Sequence, residues 1–136
     1  MKVEFLDDLT DVGKHPYADP VRLIRIFDFD LEEAINFRNV IKGVATNMYN
    51  KVDLTDEPFI EGINCNLILS ISEMDKGILT EDGKTFHCYL TSASYNQIIY
   101  FLEPFCNAIN SGGYQWLYDP TDDEQIDLLL SPGGSW

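Results

Sequence analysis

Polar and apolar residues alternate in this chain with two different periods. In residues 63–71 (INCNLILSI) every odd position is apolar, with Asn64, Asn66, Ile68 and Ser70 between them. A period of two predicts a strand with one face in a core and the other in water. Residues 84–91 repeat it, sending Phe86, Cys88 and Leu90 inward and Thr85, His87, Tyr89 and Thr91 outward. Residues 21–27 (VRLIRIF), rich in β-branched and large apolar side chains, predict an earlier strand. Elsewhere the period lengthens. Ala34, Phe37, Ile41, Val44 and Met48 recur at spacings of three and four, widened by Val40, and predict a helix over 31–46. A second helix begins near Ser92 or Ser94, either of which can cap it. Tyr95, Ile98, Ile99, Leu102, Phe105, Cys106 and Ile109 share one face, and Pro104 marks a kink or an early end. Residues 114–118 and 126–130 predict two short strands around an acidic loop.

The predicted order is β-α-β-β-α-β with one further C-terminal strand. That order implies an α+β fold: a two-layer sandwich, mainly antiparallel, with two helices on one face of the sheet in a ferredoxin-like arrangement. In this reading residues 73–83, with Lys76-Gly77 and Asp82-Gly83, form the turn of a hairpin. Residues 1–20 read as an irregular arm with Gly13, Pro16 and Pro20, and 131–136 as a turn-rich tail. The 136 residues suit a single domain with one core.

Charge narrows the partners. The chain carries 23 acids and 9 bases, a formal charge of −14, and Lys84 is its last Lys or Arg. Nucleic acid and anionic membranes need a basic footprint, so neither is expected. A basic protein fits better. Acids interrupt the first apolar positions, so no signal peptide is expected, and no run reaches the ~18 apolar residues of a membrane span. Cys65, Cys88 and Cys106 are odd in number and widely spaced, which argues against a disulfide framework or a structural zinc site. A cytoplasmic protein is the expectation.

Candidate chemistry begins at residues 25–34 (RIFDFDLEEA). An apolar strand ending in Asp28-Phe29-Asp30 resembles the first motif of haloacid-dehalogenase-like phosphatases. The resemblance implies Asp28 as nucleophile, Asp30 as general acid and Mg²⁺ beside them. It covers about ten residues. The family's Thr or Val after the second aspartate is replaced by Leu31-Glu32. No Lys or Arg lies between Lys84 and the acidic pair Asp122-Asp123. The family's parallel sheet also conflicts with a hairpin at 63–91. The same residues have a structural use: Asp30 with Glu33 three positions on is an Asp-x-x-Glu capping box, and Asp28 can pair with Arg22 or Arg25.

Residues 119–127 hold Asp119, Asp122, Asp123, Glu124 and Asp127 but lack the Asp-x-Asp-x-Asp-Gly order of a calcium loop, so a solvated loop is expected. His15 and His87 are the only histidines, too few for a His-rich metal site. His87 and Cys88 are adjacent and on a strand face opposite ways. No phosphate loop or dinucleotide fingerprint is present, so neither metal nor cofactor is expected. The polar face offers Asn64, Asn66, Ser70, Thr85, His87, Tyr89 and Thr91 to a partner or to a second copy of the chain. Tyr114, Trp116, Tyr118 and Trp136 form a second candidate surface. The expected function is a small acidic, non-catalytic protein-binding module, such as an inhibitor or immunity-type protein covering a basic surface. The candidate binding surface is Asn64, Asn66, Thr85, His87, Tyr89, Trp116, Asp119, Asp122 and Asp123. The alternative is Mg²⁺-dependent phosphotransfer by Asp28 and Asp30.

Overall fold

The structure is a computed structural model that describes residues 1–7, 22–107, 113–120 and 125–133. Its elements in chain order are β1 (Lys2–Leu6), β2 (Arg22–Phe27), α1 (Leu31–Ala45), β3 (Lys51–Asp53), β4 (Glu61–Gly62) and β5 (Asn66–Ile71). They continue with β6 (Gly77–Thr80), β7 (Thr85–Leu90), α2 (Ser92–Leu102), β8 (Gln115–Tyr118) and β9 (Ile126–Ser131). Among the described residues the strands form two mixed sheets. The first has five strands in the order β4-β1-β2-β9-β8, the second four in the order β3-β5-β7-β6.

The α+β class holds, but the single ferredoxin-like sheet does not. The error lies at residues 73–83, which contain β6 as well as turns. β6 pairs antiparallel with β7, and β7 lies between β5 and β6. β5 and β7 run parallel, with Asn66 beside Thr85, Ile68 beside His87 and Ser70 beside Tyr89. The hairpin partner of β7 is β6, not β5 as expected. The arm at 1–20 also conceals a strand: Lys2, Val3, Glu4, Phe5 and Leu6 pair with Phe27, Ile26, Arg25, Ile24 and Leu23. Positions 8–20 of that arm lie outside the described residues.

β2 and β9 pair in parallel at the centre of the first sheet. Parallel strands covered on both faces read as nearly continuous apolar runs. That is what IDLLLS of β9 shows, with Ile126, Leu128, Leu129, Leu130 and Ser131 all buried. Inward side chains of both sheets and both helices meet in one core. It joins Val3, Ile24, Ile26, Leu128 and Leu130 to Leu67, Leu69, Phe86, Cys88 and Leu90, and to Phe37, Ile41, Tyr95 and Ile98 of the helices. Phe5 and Phe86 bring the two sheets into contact, their ring centroids 4.6 Å apart.

α1 starts where the sequence predicts. The Glu33 amide donates to Asp30 Oδ1 at 2.9 Å, and the Asp30 amide donates to Glu33 Oε1 at 3.2 Å. The other Glu33 oxygen accepts from the Met1 ammonium, which also donates to the Phe59 carbonyl at 3.0 Å. α1 ends at Ala45, so Met48, expected on its apolar stripe, is exposed. α2 is capped by Thr91 rather than Ser92 or Ser94. The Ser94 amide donates to Thr91 Oγ1 at 3.1 Å, while Ser92 donates to the Ala45 carbonyl at 2.7 Å and so closes the end of α1. At Pro104 the α-helix has given way to a 3-10 turn over Glu103–Cys106, because proline cannot supply the next amide. Asp30→Ala is expected to lower stability by about 1 kcal/mol in urea denaturation. A midpoint identical to that of the native chain would contradict the capping role.

Asp75 ties the loop before β6 to α2. It accepts from the Thr91 amide at 2.8 Å and from Ser94 Oγ at 2.6 Å. Desolvation pushes its carboxyl up, but the bonds from Ser94 and Thr91 outweigh this and hold it below the ordinary range. A carboxyl lowered by folding stabilises above its unfolded value, and that contribution is lost as pH falls through the folded value. The melting-temperature gap between native chain and Asp75→Asn is expected to narrow from about pH 5 to pH 2. A gap constant over that window would argue that the contacts do not depend on the charge.

Candidate functional site

The pleat gives the second sheet an outer face opposite the core. Its rows follow from the register: Asp53, Ile68, His87 and Leu79 lie side by side, and Lys51, Ser70, Tyr89 and Gly77 form the next row. The buried side chains of α1 and α2 all join the core on the inner face. On the outer face Thr85, His87 and Tyr89 are half-buried, and Leu79 is 50% exposed. Leu79, Thr80, Glu81, Asp82, Thr85, His87 and Tyr89 line an open depression of about 470 Å³.

The chemistry of this depression is aromatic and anionic. His87 and Tyr89 stand two apart on β7, so their rings project from the same face. Their planes are 9° from parallel, with centroids 6.0 Å apart. The Lys76 Nζ sits over the Tyr89 ring, 5.8 Å from its centroid. The turn between β6 and β7 is organised by Asp82, whose Oδ1 accepts from the Thr85 amide at 2.8 Å and the Lys84 amide at 2.9 Å. Those two amides hold the Asp82 carboxyl below the ordinary range, so it is ionised at neutral pH. Thr80 Oγ1 closes the turn, donating to the Thr85 carbonyl at 2.8 Å and accepting from the Gly83 amide at 2.9 Å. Gly77 opens β6 with φ at +84°, a conformation that favours glycine.

The predicted surface is only partly assembled. Asn66, Thr85, His87 and Tyr89 share the outer face with Ser70, as the alternation implies. Asn64 does not join them. Its Nδ2 donates to the Phe5 carbonyl at 2.9 Å and its Oδ1 accepts from the Phe5 amide at 2.8 Å, so it satisfies the edge of β1. Thr91 is occupied as the cap of α2. Trp116 and Asp119 line a separate groove of about 370 Å³ between α2 and β8, with Ser94, Gln97 and Phe101 opposite. Trp116 also packs against Leu23 and Leu129 on the outer face of the first sheet. Asp122, Asp123, His15 and Trp136 lie outside the described residues. Lys76, Leu79, Glu81 and Asp82 were not anticipated. The Ile78-Leu79 pair ahead of Asp82-Gly83 was the available signal, outweighed by the turn residues around it.

Asp28 and Asp30 serve different local structures. Asp28 takes a left-handed conformation with φ at 53°, its amide donating to the Pro132 carbonyl at 3.0 Å. Its partner is Lys2, 2.9 Å away, rather than Arg22 or Arg25, which pair with Asp7 and Glu4. The bond from the Lys2 ammonium holds the Asp28 carboxyl below the ordinary range. Asp30 is engaged by the cap of α1. Among the described residues no three His, Cys, Asp or Glu side chains are grouped as metal ligands would be. Burial raises the Cys65 thiol to about 11 and the Cys88 thiol to about 12, which keeps both protonated and unreactive near neutral pH.

Among the described residues these features define an α+β protein of two helices and two mixed sheets with an open polar and aromatic sheet face. Comparison with protein-family models, with curated proteins and with solved structures finds no match to the chain. No helix among the described residues is long and apolar enough to cross a membrane.

Proposed function

We propose that the chain is a non-catalytic protein-binding module that covers a basic surface of another protein, as an inhibitor or immunity-type protein does. The observation that supports it best is the outer face of the second sheet. There an exposed Leu79 and two aromatic rings stand beside the carboxylates Glu81 and Asp82, in a chain of charge −14. Apolar and aromatic groups ringed by polar ones suit a protein interface. The excess negative charge steers a basic partner toward the chain and makes association fast and salt-sensitive.

The test is affinity capture from the native cell at low and high salt, with the native chain and with Leu79→Arg. Leu79 is exposed, so the substitution leaves the core untouched. The expected result is a basic protein, recovered at low salt, weakened at high salt and lost with Leu79→Arg. Recovery of no basic protein, or of a complex indifferent to salt, would overturn the proposal.

A further inference from the structure

We infer that the partner engages this face through an arginine side chain stacked on the Tyr89 ring and paired with Glu81, in competition with the chain's own Lys76. The inference rests on the binding-module reading and specifies the partner's chemistry.

Three observations combine. The His87 and Tyr89 rings stack in the depression with planes 9° from parallel, and the ring of tyrosine attracts cations through its negative π-face. Lys76 already places an ammonium over the Tyr89 ring, so this position accepts a positive charge within the molecule itself. The rim supplies anions: Glu81 is exposed, and Asp82 is ionised but committed through Oδ1 to the turn amides. Glu81 is therefore the carboxylate with freedom to turn toward a ligand.

The flat face of the Tyr89 ring selects among cations. A guanidinium is planar, stacks face to face on an aromatic ring and keeps its edge donors for a carboxylate. An ammonium is compact and strongly hydrated, and gains less from a flat ring face. Lys76 is thus a weaker internal occupant that an incoming arginine displaces. A second copy of the chain is a poor occupant, since two molecules of charge −14 repel.

The experiment titrates an arginine hexapeptide, and separately a lysine hexapeptide, into the isotope-labelled chain while amide shifts are followed. Saturable shifts are expected at Leu79, Thr85, His87 and Tyr89, with the arginine peptide binding at least about threefold more tightly. Tyr89→Ala should weaken the arginine peptide by about tenfold, Tyr89→Phe should retain it, and Lys76→Ala should tighten it a few-fold. Tyr89→Phe and Lys76→Ala keep the test valid should Tyr89→Ala perturb folding. Shifts scattered over the acidic surface, equal binding of the two peptides, or indifference to Lys76→Ala would each overturn the inference. A partner captured in a salt-sensitive way by native chain and Tyr89→Ala alike would also overturn it, while leaving the binding-module reading intact. Saturable arginine binding at this face without any captured basic protein would uphold it and remove the broader reading.

Discussion

Phe86→Ala is expected to lower the free energy of unfolding by about 3–5 kcal/mol. Phe86 is fully buried on β7, and its ring meets Phe5 of the first sheet at 4.6 Å, tilted by 39°. Truncation removes the transfer energy of the ring and leaves a cavity where the two sheets meet. A domain of this size is stable by only ~5–15 kcal/mol, so the variant should lie close to its unfolding limit. The neighbouring residue supplies the control. His87 is half-buried on the outer face, and His87→Ala should fall within about ±0.5 kcal/mol of the native chain. Urea denaturation of both variants at unchanged slope is the measurement. Comparable losses from the two would contradict the assignment of inner and outer faces on β7.

Tyr95→Ala should be almost as costly, again about 3–5 kcal/mol, for a partly different reason. Tyr95 lies wholly inside the core, on the inward face of α2. Its hydroxyl reaches the Ser70 carbonyl at 2.8 Å and the Cys88 carbonyl at 3.0 Å, so one side chain ties α2 to the parallel pair β5 and β7. Burial drives the phenol far above its ordinary pKa, so it remains a neutral donor. Tyr95→Phe separates the two contributions. It keeps the ring and removes the donor, and should cost about 0.5–1.5 kcal/mol. Equal losses for Tyr95→Ala and Tyr95→Phe would mean that the hydroxyl, and not the packing, dominates.

The second sheet shows how much of the fold was legible. The faces of β5 and β7 followed from alternation: Leu67, Leu69, Phe86, Cys88 and Leu90 are buried, while Asn66, Ser70, Thr85, His87 and Tyr89 lie on the other side. Helix positions were equally plain, because α1 and α2 each carry an apolar stripe over several turns. Of the short strands, β8 was read and β3, β4 and β6 were not. β3 has three residues, β4 two and β6 four, too few to establish a period against Gly, Asp and Pro nearby. Ile63 extends the alternation of residues 63–71 but is 45% exposed, because β5 begins only at Asn66.

The candidate site divides along the same line. Thr85, His87 and Tyr89 belong to a strand whose period marks them as outward-facing. Leu79, Glu81 and Asp82 come from β6 and its turn, and lie beside them because β6 pairs antiparallel with β7. Asn64 fits the alternating pattern, yet an unpaired strand edge at Phe5 claims its amide.

The sequence by itself determined the periods: which residues face inward on each long element, where α1 begins, and a net charge of −14. Asp30 and Glu33 made the start of α1 readable because a cap depends only on residues three positions apart. Tertiary structure alone decided which strands pair, in what direction, and that there are two sheets rather than one. Pairing is a choice among distant segments whose energies differ by core packing, and no local period encodes it. Phe5 and Phe86 stand 81 positions apart, and their contact exists only once both sheets have formed around the same core.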